Sequence, residues 1–243
     1  MPEILRVEGE AQLAQTAAGM FAQLASQAIS ARGSFSVALS GGTTPRRLYE
    51  TLAMPKSLNA VEWSKVHLFW GDERCVPPTD PDSNYRMVKE SLLDHLPLPA
   101  ENIYRMRGEL EPQEAARQYQ SLLHGHFFPD QEPDASLPPR FDLILLGLGT
   151  DGHTASLFPE TAALQENSRW VAANYVEKLE SWRLTLTLPV LNAARVVIFL
   201  VSGAAKADVL EKIGQIDQPG EVLPARLVQP QDGKLLWLVS VQA

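Results

Sequence analysis

The feature that most constrains this chain is a local grammar repeated along it: a short apolar run, a turn of glycine and small polar residues, then a helical segment. "FSVAL" (Phe35 to Leu39) leads into "SGGTTP" and the helix "PRRLYETLA", and "VHLFW" (Val66 to Trp70) leads into "GDER". "FDLILL" leads into "GLGTDGH", and "RVVIFLV" into "SGAAK" and the helix "KADVLEKIG", after which "LLWLVSV" closes the series. These runs are short and rich in leucine and β-branched residues rather than alternating, the pattern of strands covered on both faces. Helices between them supply the crossovers that parallel strands need. The expected fold is therefore α/β, a mostly parallel, doubly wound sheet with helices on both faces.

Other elements fill in around this frame. Leu13, Ala17, Met20, Leu24 and Ala28 form a helical stripe between Glu10 and Ala31, which Gly33 ends. Thr44 is placed as an N-cap with Pro45 at the first helical position, and Ser83 caps a helix running through Leu93. A further helix is expected from Pro112 to about His126, and "WRLTLTL" reads as another strand. The proline- and acid-rich stretch "FFPDQEPDASLPPR" is the one candidate break. A single domain over 1–243 is expected, with a possible small subdomain around 130–190.

Charge narrows the partners. With 21 Lys and Arg against 29 Asp and Glu, the net charge is −8, which argues against a nucleic-acid partner because phosphate neutralisation needs a basic surface. It leaves room for a small anionic ligand held by a few clustered cations. Cys75 is the only cysteine, so a disulfide framework is excluded and a reducing compartment is expected. No run is long and apolar enough for a bilayer, and "MPEILRVEGE" does not read as a signal peptide. The expectation is a cytoplasmic protein with no membrane partner, a monomer or weak homo-oligomer.

In open α/β sheets, ligands bind beyond the carboxyl ends of the strands, where four polar clusters of this sequence fall. In "SGGTTP", Ser40, Gly41, Gly42, Thr43 and Thr44 combine close backbone approach, hydroxyl donors and a helix N-terminus, which suits a phosphate. The same residues would also make a tight turn and cap with no ligand. The G-x-x-x-x-G-K-[ST] spacing of a nucleotide loop is missing, so a sugar phosphate fits better. Lys206 and Arg183, expected on neighbouring strand ends, would add a point charge and a bidentate fork.

Gly147, Gly149 and Gly152 match G-x-G-x-x-G, the dinucleotide fingerprint. That fingerprint needs a packed helix directly after its third glycine, whereas "HTASLF" runs into Pro159, so a nicotinamide cofactor is not expected. What the loop offers is His153, the one histidine at a strand end in a glycine turn, with Asp151 two residues away: a candidate general base and its orienting carboxylate. Asp72, Glu73 and Arg74 follow the next strand; they would serve as a structural ion network, or bind sugar hydroxyls and stabilise an oxyanion. Cys75 has no adjacent base, and His124 and His126 lack a third ligand, so both are set aside, the two histidines as an exposed helix end.

Taken together, "LSGGTTP", "WGDERCVPPTDPDSNYRM", "LLGLGTDGHTASLFP", "RLTLTLPVLNAA" and "SGAAK" resemble the 6-phosphogluconolactonase family over nearly the whole chain. Thr43 stands where that family more often has Ser, a small change between hydroxyl donors. The resemblance implies the fold shared with glucosamine-6-phosphate deaminase and ribose-5-phosphate isomerase. It also implies hydrolysis of 6-phospho-D-glucono-1,5-lactone, a sugar-phosphate lactone as the small-molecule partner, and no required metal or cofactor. His153 is implied as the base that activates water, and the glycine turn with Arg183 and Lys206 as the phosphate site. Arg74 or N–H groups near Gly149 and Gly152 would meet the oxyanion. An isomerase or deaminase acting on glucosamine 6-phosphate, with Asp72 as base, is the nearest alternative; a non-catalytic sugar-phosphate sensor is a second.

Overall fold

A computed structural model of the chain describes residues 3–132, 137–214 and 222–240. In chain order the elements are β1 (Glu3–Arg6), α1 (Gly9–Arg32), β2 (Phe35–Leu39), α2 (Thr43–Leu52), α3 (Pro55–Leu58), β3 (Val66–Trp70), β4 (Asp72–Arg74) and α4 (Asn84–Ser91). There follow β5 (Ile103–Tyr104), α5 (Pro112–Phe127), β6 (Leu143–Leu146), β7 (Val171–Val176), β8 (Ser181–Leu186), α6 (Leu188–Ala193), β9 (Val196–Ser202), α7 (Ala207–Gly214) and β10 (Lys234–Ser240). Val241, the last residue of the expected strand "LLWLVSV", and part of the proline-rich loop lie outside the described residues.

Seven strands form one sheet in the order β1-β10-β9-β6-β2-β3-β5, every pairing parallel. Every residue of β2 and of β6 is buried, so both faces of the sheet are covered there. On α1 the buried stripe is Leu13, Ala14, Ala17, Phe21, Ala25 and Ala28, one step round from the expected one, with Met20 and Leu24 on its flank. Phe21 brings its ring edge-on to Phe35 of β2 at 5.3 Å, and Gly33 ends the helix in the left-handed conformation (φ 83°) that its missing Cβ permits.

A second sheet, β4-β8-β7, is antiparallel, and only β8 of it was expected from the sequence. Its inner residues Val171, Ala172, Leu184 and Leu186 join the same buried cluster as the large sheet.

Strand order locates the crevice. From β2 the chain winds outward through β3 to β5, then returns to β6 on the other side of β2 and winds away through β9 and β10. The connections leaving β2 and β6 therefore diverge between two neighbouring strands, which is the topological switch point where such sheets hold ligands. Two buried tyrosines fix the strand ends beside it. Tyr49 donates its hydroxyl hydrogen to Ser40 O (2.8 Å) and accepts from Ser40 N (3.0 Å) at the end of β2. Tyr119 does the same for Trp70 at the end of β3 (3.2 and 2.9 Å).

Candidate active site

The turn after β2 supplies one wall. Helix α2 begins at Thr43, with Gly42 (φ 106°) as its N-cap, so Thr44 is the second helical residue and not the cap expected from Pro45. Proline is tolerated one turn in because first-turn N–H groups have no intrahelical acceptor. Those groups open on the crevice. The Thr44 hydroxyl is instead paired with Ser202 Oγ at 2.7 Å, which joins the β2 and β9 walls. A Cβ on Gly41 would lie 1.8 Å from Asn84 Oδ1, so close approach of Asn84 requires glycine there. Asn84 in turn donates to Asp72 O (3.0 Å) and Oδ1 (3.3 Å).

The loop after β6 supplies the opposite wall. His153 Nδ1 lies 2.5 Å from Asp151 Oδ1, which also accepts from His153 N at 3.1 Å; the second oxygen of Asp151 takes the Lys178 ammonium. With Nδ1–H donated to the carboxylate, Nε2 carries the lone pair, and among the described residues no protein group bonds it. The ring stacks on Phe158 at 4.1 Å. A Cβ on Gly149 would fall 2.0 Å from His153 Nδ1 and 2.5 Å from Asp151 Oδ1, so glycine at 149 makes room for the pair itself. The N–H of Gly149 donates to His153 O and that of Gly152 to Gly149 O, so neither is free to meet an oxyanion as the sequence suggested.

A cavity of about 270 Å³ joins these walls, lined by Ser40 to Pro45, Asp72, Arg74, Asn84, Gly147 to Gly149, His153 to Ala155, Leu200 to Ser202 and Lys206. The imidazole of His153, the N-terminal turn of α2, Arg74, Asp72 and Lys206 thus share one chamber. Asp151 holds the far side of the ring, Gly152 packs toward Leu223, and Arg183 lies beside Arg74; none of the three lines the cavity. Arg183 and Lys206 are not on neighbouring strand ends: Arg183 belongs to β8, where it sits opposite Arg74 in the antiparallel ladder.

Electrostatics fits an anion site. Burial pulls the Lys206 ammonium below its usual pKa; burial, then Arg74, does the same to the Arg183 guanidinium. Like charges set opposite each other on a ladder are destabilising, and a phosphate dianion would relieve them. His153 is held near pKa 4 by burial and by Lys206, Arg74 and Arg183, against the opposing pull of Asp72, so the ring is a neutral base at pH 7.

Two neighbouring carboxylates have separate tasks. Glu73 accepts from the N–H groups of Arg74, Asn84 and Tyr85 and from the Ser83 hydroxyl, with no oxygen left for a sugar. It holds the N-terminal turn of α4, whose N-cap is Ser83 as expected. Asp72 accepts Ser156 Oγ at 2.7 Å and stays at the cavity wall. His126 is no exposed helix end: it packs half-buried against His67, Phe69 and Tyr104. Burial raises the Cys75 thiol to about 11, which removes it as a nucleophile at neutral pH. Among the described residues, no group of three or more His, Cys, Asp or Glu is placed to hold a metal, and no helix is long and apolar enough to cross a membrane.

Sequence reasoning missed Lys178, Ser156, Phe158 and Ser202. Ser83-Asn84 gave a visible capping signal; nothing in the sequence ties Lys178 to Asp151, 27 residues away.

Known proteins resemble this chain over most of its length. The family model described as glucosamine-6-phosphate isomerases/6-phosphogluconolactonase matches residues 8–237. A 6-phosphogluconolactonase of Synechocystis is 45% identical over 89% of this chain and 86% of its own length. The solved 6-phosphogluconolactonase from Trypanosoma cruzi superposes with a TM-score of 0.86 at 29% identity, covering 99% of this chain and 94% of that one. A monomeric glucosamine-6-phosphate deaminase (TM-score 0.77, 18% identity, 98% and 97% coverage) shares the fold.

Proposed function

The chain belongs to the glucosamine-6-phosphate isomerase/6-phosphogluconolactonase family, and on that premise we propose that it hydrolyses 6-phospho-D-glucono-1,5-lactone to 6-phospho-D-gluconate. The observation that carries this reading is a neutral, carboxylate-oriented imidazole in the same cavity as an anion cradle. The similar proteins named as lactonases favour this activity over deamination of glucosamine 6-phosphate.

The substrate phosphate sits at the N-terminal turn of α2 with Lys206, and binding energy spent there orients the distant lactone carbonyl. His153 Nε2 takes a proton from water as the water oxygen attacks C1. Arg74 faces the developing oxyanion. The C1 to ring-oxygen bond then breaks, and the imidazolium returns the proton to the departing ring oxygen. General-base catalysis contributes about 10²–10⁴-fold and an oxyanion donor about as much, sufficient for an ester that already opens in water. Arg183, beside Arg74 on the ladder, adds to the positive charge around the site. We read the whole chain as one catalytic domain, supported by the single buried cluster spanning both sheets.

The test is proton release from lactone generated enzymatically from glucose 6-phosphate, with and without the protein. Acceleration lost in His153→Ala supports the reading. Ammonia release from glucosamine 6-phosphate without lactone hydrolysis overturns it.

A further inference from the structure

We propose that Lys178, at the tip of the β7–β8 hairpin, is a positioning residue for His153, holding Asp151 in the orientation that fixes the imidazole. The inference rests on the reading of His153 as the base.

Asp151 has two oxygens and two masters. Oδ1 receives the Nδ1–H and the backbone N–H of His153, both from its own loop; Oδ2 receives the Lys178 ammonium. Among the described residues, Lys178 is thus the one group outside the 149–153 turn that restrains this carboxylate. The two bonds to Oδ1 come from the turn that the carboxylate is meant to orient, so the bond from Lys178 to Oδ2 is what refers it to a separate element of the fold. Lys178 reaches the ring by a second route as well. Its ammonium lies 4.7 Å from the centre of the Phe158 ring, and Phe158 stacks on His153.

The hairpin is built to keep that ammonium in place. Val176 pairs with Ser181, and the turn between them, Glu177–Leu179 followed by Glu180 in the left-handed conformation (φ 46°), folds Lys178 back over the loop. Lower on the same strand, buried Asn174 donates to Ser156 O (2.9 Å) and Thr161 Oγ1 (3.0 Å), which fastens the hairpin to the segment after His153.

The contact also has an electrostatic consequence. The groups facing the ring are Asp151, Asp72, Lys206, Arg74 and Arg183. Lys178 divides the charge of Asp151, so the carboxylate orients the ring without drawing a proton onto it. Removing the ammonium leaves an undivided negative charge against Nδ1, which favours imidazolium, and leaves the carboxylate's orientation to its bonds with His153 alone.

Lys178 is half exposed, and Lys178→Met is expected to fold. Its kcat should fall on the order of tenfold, a misorientation cost, with KM little changed. The His153 ring, followed by NMR, should titrate at higher pH than in the parent protein. Lys178→Arg should restore most of both. Asp151→Asn should cost less in the Lys178→Met background than in the parent protein, since the part of its effect that runs through the Lys178 contact is already lost. An unchanged ring titration overturns the proposal, whether or not the melting temperature falls. A rise in KM that vanishes with an unphosphorylated lactone also overturns it, because Lys178 would then grip the phosphate. Failure of the underlying reading looks different: His153→Ala would keep its activity.

Discussion

The two edges of the large sheet carry similar ingredients and use them in opposite ways. At the amino edge, Asp142 just before β6 accepts Arg32 (2.6 Å) and Ser36 N and Oγ (2.9 and 3.1 Å), with Arg195 Nε at 3.3 Å. One carboxylate ties the end of α1 to the starts of β2, β6 and β9, and its oxygens are fully occupied by protein. At the carboxyl edge, past the other end of β6, Asp151 is also fully occupied, but its partner His153 shares a chamber with Arg74 and Lys206, and among the described residues no protein group bonds its second nitrogen. The same residue types build an anchor where their polar atoms close on one another, and a reaction site where some are left open. Partners left over, more than residue identity, mark the functional edge.

That contrast can be broken by substitution. The largest effect is expected for His153→Ala: steady-state turnover should fall by about 10²–10⁴-fold with the melting temperature nearly unchanged. Asp142→Ala should do the reverse. It strands Arg32, Arg195 and the Ser36 N–H and should cost ~3 kcal/mol in urea unfolding, while kcat at a permissive temperature stays near that of the parent. Should Asp142→Ala cut kcat in a fully folded protein, the division between the edges fails. Lys206→Ala should raise KM about tenfold for the phosphorylated lactone and leave an unphosphorylated one unaffected, as expected of a desolvated phosphate contact. Arg183→Ala, removing a cation that is paired beside Arg74 and does not line the chamber, should raise KM only a few-fold.

Much of the large sheet was legible because a strand buried on both faces leaves a mostly apolar run, as in β2, β3, β6 and β9. The small sheet was mostly not. β4 is "DER", three charged residues with no strand preference, and is a strand only because β8 pairs with it. β1 and β5 are four and two residues long, too short to show a period. The four clusters at the strand ends were visible and four walls of the cavity come from them, yet their internal geometry was not. Pro45 suggested a later helix start than Gly42 allows, and Arg183 was set beside Lys206 because the sequence does not show that its strand folds into another sheet. The role of Gly149 was legible as a need for space, while the object filling that space, the His153–Asp151 pair, needed coordinates.

The central claim is that the His153 imidazole and the anion cradle share one chamber. Because the phosphate of the substrate itself titrates near pH 6, the ring is best followed directly, by NMR, as inorganic phosphate is added. In the free protein it should titrate near pH 4, where burial and its cationic neighbours hold it. The neutral base therefore persists as pH falls through the ordinary imidazole range and is lost only on approaching that value. Phosphate bound at the α2 N-terminus beside Lys206 should offset that cation and move the titration upward, and the response should disappear in Lys206→Ala at the same phosphate concentration. A ring that titrates at its ordinary value and ignores phosphate would contradict the account.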